Sequence, residues 1–185
     1  MSPGILGEIG SKIKNGVIGT LRGVDEIYDA VFDTVRGNVA DVFQGTGDVT
    51  SAAISGVSDV VVGAVQAVVE VGSITGGAVR DIARGTLRGV ADAGGDVGAL
   101  VKGTVQASIV GVSEVEGDVV EASVKAAQGA IEAVDAVGGD VTKATHDAVV
   151  GAVEAAGSVS GETADAVKEA LTRSVKGAED VIKSL

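Results

Sequence analysis

The sequence has no cysteine and no tryptophan, a single proline (Pro3) and a single histidine (His146). Without cysteine there is no disulfide, no thiolate nucleophile and no Cys-based zinc or iron–sulfur site. One imidazole rules out multi-histidine metal sites and leaves any serine triad with only His146 as its base. Aromatics are almost missing: Tyr28, Phe32 and Phe43 are the whole set, 2% of the chain. Positive charge is also short, with 14 Lys and Arg against 26 Asp and Glu, for a net charge of −12 over 185 residues. That balance opposes nucleic-acid binding, which needs a basic footprint. No phosphate-binding loop, dinucleotide fingerprint or nucleophile elbow occurs. Acidic pairs such as Glu114/Glu116 and Asp118/Glu121 lack the ligand spacing of a calcium loop and read as a solvated charged face. His146, beside Asp147, reads as a solvated histidine on a polar helix face. These absences point away from an enzyme, and no cofactor is expected.

What the chain does have is small apolar residues. Apolar side chains make up 45%, mean hydropathy is +0.40, and glycine contributes 29 residues. A disordered polar tail would not carry this apolar content. The start of the chain has Glu8, Lys12 and Lys14 scattered among its apolar residues, so no cleaved signal peptide is expected. The strongly apolar stretch Val60 to Val69 is closed by Asp59 and Glu70. It is about half the roughly 20 residues of a spanning helix. The expected location is therefore cytoplasmic, or peripheral at a membrane. Residues 37–160 hold six bases and 16 acids, whereas 1–36 and 161–185 each hold four bases and five acids.

An internal repeat dominates the pattern. The tripeptide Gly-Asp-Val begins at Gly95, Gly117 and Gly139, at intervals of 22, and Gly161-Glu162 continues the series. Cutting every 22 residues from Gly7 yields eight units ending at Ile182, without insertion or deletion. The expected organisation is a short tail (1–6), one repeat domain (7–182) and a short tail (183–185). Position 15 of the unit is always large and apolar: Leu21, Phe43, Val65, Leu87, Ile109, Ile131, Val153 and Val175. Position 17 is always Gly or Ala: Gly23, Gly45, Ala67, Gly89, Gly111, Ala133, Ala155 and Gly177. Repeats of this length must be recognised before a fold is assigned.

Within a unit the apolar positions step by 4, 4, 4, 3, 3 and 4. That is 22 residues in six turns, about 3.67 per turn, the hendecad period of a straight or right-handed supercoil. Strict alternation is absent, so valine richness does not mean strand. The spacing predicts an all-α protein: one long helix, or a few long helices, in a bundle. A continuous helix over the repeats would be about 260 Å long at about 1.5 Å per residue. Glycine has two readings here. On one face it permits close helix contact through pairs such as Gly85/Gly89 and Gly151/Ala155. Alternatively, Gly76-Gly77, Gly94-Gly95 and Gly138-Gly139 end helices, with Asp96 or Asp140 capping the next.

Large and small apolar positions together cover about 200° of the helix, wide enough to touch several neighbours. The charges beside that arc are sorted. Position 8 is basic (Lys14, Arg36, Arg80, Lys102, Lys168, with His146), while positions 9 and 20 are acidic, as at Asp59, Asp81, Asp92 and Asp147. Parallel neighbours would set acid against base. This predicts a parallel homo-oligomer of more than two chains, packed through the position-15 residues and through Gly23, Gly45, Gly89, Gly111 and Gly177. Leu87, Ile109 and Ile131 should be buried, and Arg80, Lys102 and Glu132 exposed. At the start, Ile5, Leu6, Ile9 and Ile13 share a face flanked by Lys12 and Lys14, a candidate membrane-interface helix.

In period and amphipathicity residues 7–182 resemble the 11/22-residue-repeat helical proteins: exchangeable apolipoproteins, synucleins, perilipin-like lipid-droplet proteins and some late-embryogenesis proteins. The resemblance implies a long helix that lies on lipid or zips with copies of itself. Departures are visible. Gly stands where apolipoproteins use Pro, one polar flank is acidic, and the apolar residues are small. Two functional expectations follow. The first is a structural homo-oligomer, a scaffold, stalk or tube, whose ring of Val/Ala/Gly faces could enclose an apolar lumen for a lipophilic molecule such as a quinone. The second is an amphipathic coat on a lipid or membrane surface. The expected partners are copies of itself, a larger protein complex or a lipid surface.

Overall fold

A computed structural model describes residues 27–44, 51–70, 72 and 76–185. Their secondary structure is helical, in eight elements: α1 (Ile27–Gln44), α2 (Ser51–Glu70), α3 (Gly76–Asp92), α4 (Val97–Glu114), α5 (Val119–Ala136), α6 (Val141–Val159), α7 (Gly161–Ser174) and α8 (Ala178–Ser184). The fold is all-α, and among the described residues there is no strand.

The long rod does not form; the longest helix is α2, with 20 residues. The chain stops and restarts once per unit, and the Gly-Asp-Val tripeptide is the device. Gly94, Glu116 and Gly138 adopt left-handed φ values of 76°, 55° and 72°. The amides of Gly95, Gly117 and Gly139 then donate back to the carbonyls of Val90, Val112 and Val134, each at 2.9 Å. The amides of Gly94, Glu116 and Gly138 donate to Ala91, Ser113 and Asp135. This paired C-terminal pattern satisfies carbonyls that a helix end would leave bare. One residue later Asp96, Asp118 and Asp140 accept from the amides of Ala99, Glu121 and Lys143 at 3.1, 2.9 and 2.9 Å and cap the following helix. Breaks therefore fall at Gly94-Gly95 and Gly138-Gly139, and also at Glu116-Gly117, where no glycine pair marks the site. Gly76-Gly77 instead opens α3.

Glu116 is the one described non-glycine residue with positive φ. That conformation costs an L-residue roughly 1–2 kcal/mol. Glu116→Gly should therefore stabilise the fold by about 1 kcal/mol, read as a rise in thermal midpoint of about 2–4 °C.

The helices stack in two layers. α1, α3, α5 and α7 form one, and α2, α4, α6 and α8 the other; each helix packs on the next in sequence and on the next but one. Sequential helices are antiparallel, so helices within a layer are parallel. The core lies between the layers and includes Val39, Val61, Leu87, Val105 and Ile109, all fully buried.

Glycine sets the spacing within a layer. A Cβ on Gly85 would lie 2.8 Å from the Phe32 carbonyl oxygen, and one on Gly151 2.9 Å from that of Lys102. At Gly89 and Gly129 it would collide with the carbonyls of Arg36 and Arg80. Close backbone contact repays the roughly 1 kcal/mol that glycine costs in a helix. The last unit departs from the pattern. Gly177, expected in a helix face, turns the chain with φ 86° and separates α7 from the seven-residue α8. Beyond the core, Glu162, Asp165, Glu169, Thr172 and Arg173 of α7 are exposed, the polar outer face of a terminal cap.

Candidate functional site

The expected packing residues are used inside the chain. Phe43, Val65, Leu87, Ile109 and Val175 are buried, as are Gly89 and Gly111, while Ile131 and Val153 are half-buried. Gly111 fits against Val62 and Val65 of α2. Gly177 lies in a turn. Leu21, Gly23 and Gly45 lie outside the described residues, as do the candidate membrane-interface residues Ile5, Leu6, Ile9, Lys12, Ile13 and Lys14.

The acid–base matching expected between parallel chains occurs between parallel helices of one layer. Arg80 of α3 reaches Glu132 of α5, with Nε donating at 3.0 Å, and Lys102 of α4 meets Glu154 of α6 at 2.8 Å. Arg80, Lys102 and Glu132 are thus half-exposed and paired. The bases are those of position 8, as the sequence indicates. In these two pairs the acids come from position 16, not from 9 or 20; Asp92, the partner of Arg36, is a position-20 acid, as expected. Position 16 holds Arg22, Gln44, Gln66, Arg88, Val110, Glu132, Glu154 and Lys176, a mixture with no sign to notice.

Partners in both pairs are 52 residues apart. At that separation Arg36 of α1 would face Arg88. Instead α1 and α3 are offset by one further turn, and Arg36 pairs with Asp92, 56 residues away. The offset replaces a like-charge contact with an ion pair. The same 52-residue separation between α2 and α4 joins Ser58 and Val110, which bear no charge. Here the surface is a groove of about 240 Å³ lined by Ile54, Val57, Ser58, Leu100, Gly103, Thr104, Gln106, Ala107 and Val110. Ile54 and Val110 are 44% and 43% exposed. Thr104 is 1% exposed, and its Oγ1 has no hydrogen-bond partner among the described residues.

A second groove, of about 590 Å³, lies between α6 and α8 and includes Val141, Thr145, His146, Lys176 and Asp180. It arises because α8 is too short to cover α6. Val141 is 37% exposed, whereas Val97, two units earlier, is 9% exposed. His146 Nδ1 is 3.1 Å from Asp147 Oδ1, on an exposed imidazole. Burial works against the Asp147 charge, but Lys143 and His146 outweigh it and hold the carboxyl below its usual range. Among the described residues no three His, Cys, Asp or Glu side chains converge as metal ligands.

Position 9 carries the acids Asp59, Asp81 and Asp147. Asp81 has Arg84 at 3.2 Å, whose guanidinium lies over Phe32, and Asp147 has Lys143. Asp59 has no such cation in its own helix: its Oδ2 is buried without a hydrogen-bond partner among the described residues, and burial pushes its carboxyl above the usual range. A carboxyl raised in the folded state destabilises the fold while it is ionised, and the penalty fades as pH falls through the folded value. Asp59→Ala should therefore stabilise the protein near neutral pH by about 1–2 kcal/mol, part of it from alanine's better helix propensity. The remaining part should vanish on acidification, checked by denaturant titrations at neutral and mildly acidic pH.

No protein-family model matches this chain, and no curated protein matches it.

Proposed function

We propose that this chain is a non-enzymatic structural protein, a scaffold of stacked helices that associates with copies of itself. One observation carries the reading: the recurring positions of the unit are used to stack helix upon helix. Glycines at Gly85, Gly129 and Gly151 seat a neighbour's backbone, the bases Arg80 and Lys102 pair with the next helix of the layer, and Asp96, Asp118 and Asp140 restart each helix. A nearest-neighbour code of this kind extends a surface by adding units. Since the apolar arc is filled within the chain, association between copies would use the outer faces.

A second reading, a lipid-surface coat, is favoured by α2. Among the described residues it is the one helix long and apolar enough to cross a membrane, with hydropathy 1.8, although 56% of that window is buried in the fold. Sedimentation and circular dichroism of the full chain, with and without phosphatidylcholine vesicles, separate the two. The scaffold should be helical and self-associated in buffer. A chain that gains most of its helix only on adding vesicles overturns the scaffold reading in favour of the coat.

A further inference from the structure

Among the layer pairs from α1/α3 to α4/α6, the α2–α4 seam is the one with no ion pair among the described residues. Each of the other described pairs from α1/α3 to α4/α6 closes its outer seam with an ion pair: Arg36–Asp92, Arg80–Glu132 and Lys102–Glu154. Here the corresponding positions are Ser58 and Val110. Two branched apolar side chains, Ile54 and Val110, stand nearly half-exposed on either side of a floor of Val57, Leu100 and Ala107. In that floor the nearly inaccessible Thr104 has a hydroxyl with no hydrogen-bond partner among the described residues.

We infer that this groove is the contact face for a second copy of the chain. The inference rests on the scaffold reading above and names the surface that reading needs. Charge selects the occupant. With a net charge of −12, two copies repel each other over most approaches. The layer of α1, α3, α5 and α7 presents Asp29, Asp33, Glu121, Asp135, Glu162 and Asp165 outward. The α2–α4 groove presents no charge, so two copies can meet there without setting acid against acid. A two-fold contact uses the same patch on both chains. Ile54 and Val110 of each copy would enter the small-residue floor of the other, where Gly103 and Ala107 leave room. A stable interface takes about 800 Å² per partner, so contact would spread from the groove over exposed Ser51, Ser55 and Ala99, which are likewise uncharged.

The test is sedimentation equilibrium of the full chain over a concentration series. Wild type should approach twice the 18.0 kDa chain mass. The double variant Ser58→Lys/Val110→Glu installs the ion pair used by the other layer pairs. It should keep wild-type helicity and a cooperative thermal transition while its mass falls two-fold, to one chain. A single-residue probe guards against misfolding of that variant. Because the chain has no cysteine, Val110→Cys gives one thiol per chain, and a short bis-maleimide can join thiols only between copies. Val110→Cys should cross-link with this reagent, whereas Asp33→Cys on the other layer should not. A folded double variant that keeps the wild-type mass, or equal cross-linking by the two cysteines, overturns the groove and leaves self-association through another face. Wild type that stays at one chain mass throughout overturns self-association itself. Binding to phosphatidylcholine vesicles that is lost in the double variant, without any wild-type self-association, overturns the second copy in favour of lipid.

Discussion

Gly129→Leu should abolish cooperative folding, seen as loss of the thermal transition by circular dichroism. Gly129 lies in α5 where the backbone of α3 passes. Even a Cβ there would overlap the Arg80 carbonyl oxygen and press on its carbonyl carbon at 3.0 Å and its Cα at 3.2 Å. The obstacle is backbone, so no rotamer change relieves it; α3 and α5 must separate. Separation loosens the Arg80–Glu132 seam and the core beneath it. Overpacking typically costs about 1–3 kcal/mol and can cost more, against total stabilities of about 5–15 kcal/mol. Gly129→Ala should lose several kcal/mol, and leucine most of the stability. Gly37 provides the control. It is exposed in the middle of α1 and a Cβ there meets nothing within 4 Å. Gly37→Ala should stabilise by about 0.5–1 kcal/mol, because only the helix propensity of glycine is removed. If both alanine variants shift stability in the same direction, glycine does not set the spacing of the layers.

Ile109→Asp should be comparably severe. Ile109 is fully buried in α4 between the two layers. The substitution removes an apolar side chain worth about 1.5–3 kcal/mol of burial and puts a carboxylate where no cation waits. Ionised and unpaired, that group would cost more than the fold can bear, so it would take up a proton or unfold the chain. The expected result at neutral pH is an unfolded chain, with partial recovery of helix under acid as the carboxyl is protonated. Because Ile109 faces the interior of one chain, the loss should appear in very dilute protein as well. A variant that keeps its helical signal at high dilution and loses only assembly would place Ile109 between chains instead.

The helical class and the packing face were legible in the sequence because both depend on local period. Position 15 is large and apolar at every unit, and Leu87, Ile109 and Val65 accordingly lie in the core. The small residues of position 17, and pairs such as Gly85/Gly89 and Gly151/Ala155, mark close approach, and Gly89, Gly111, Gly129 and Gly151 each meet a neighbouring helix. The Asp caps were visible too, since Gly-Asp-Val recurs every 22 residues and Asp is a strong N-cap. What could not be read was whether the helix continues through each unit boundary. A 22-residue sequence repeat survives in register whether the chain runs straight or doubles back, because a turn that uses the unit's own residues inserts nothing. Glu116 hides one turn altogether, since nothing local announces a left-handed glutamate.

The sequence alone therefore determined helix, repeat length and which side chains seek burial, as these follow from side-chain spacing along one helix. The tertiary structure decided who buries them. Doubling back lets one chain cover its own apolar arc without the entropic cost of bringing several chains together, and it makes every second helix a parallel neighbour. That geometry also settled the ion pairs. The distance of 52 residues between Arg80 and Glu132 or Lys102 and Glu154 combines two units with a sliding offset between helices. No local period encodes that offset; it comes from how glycine lets one backbone nest on another. The same offset brings Ser58 to Val110, and only then does an unremarkable serine and valine become the uncharged groove on an otherwise acidic protein.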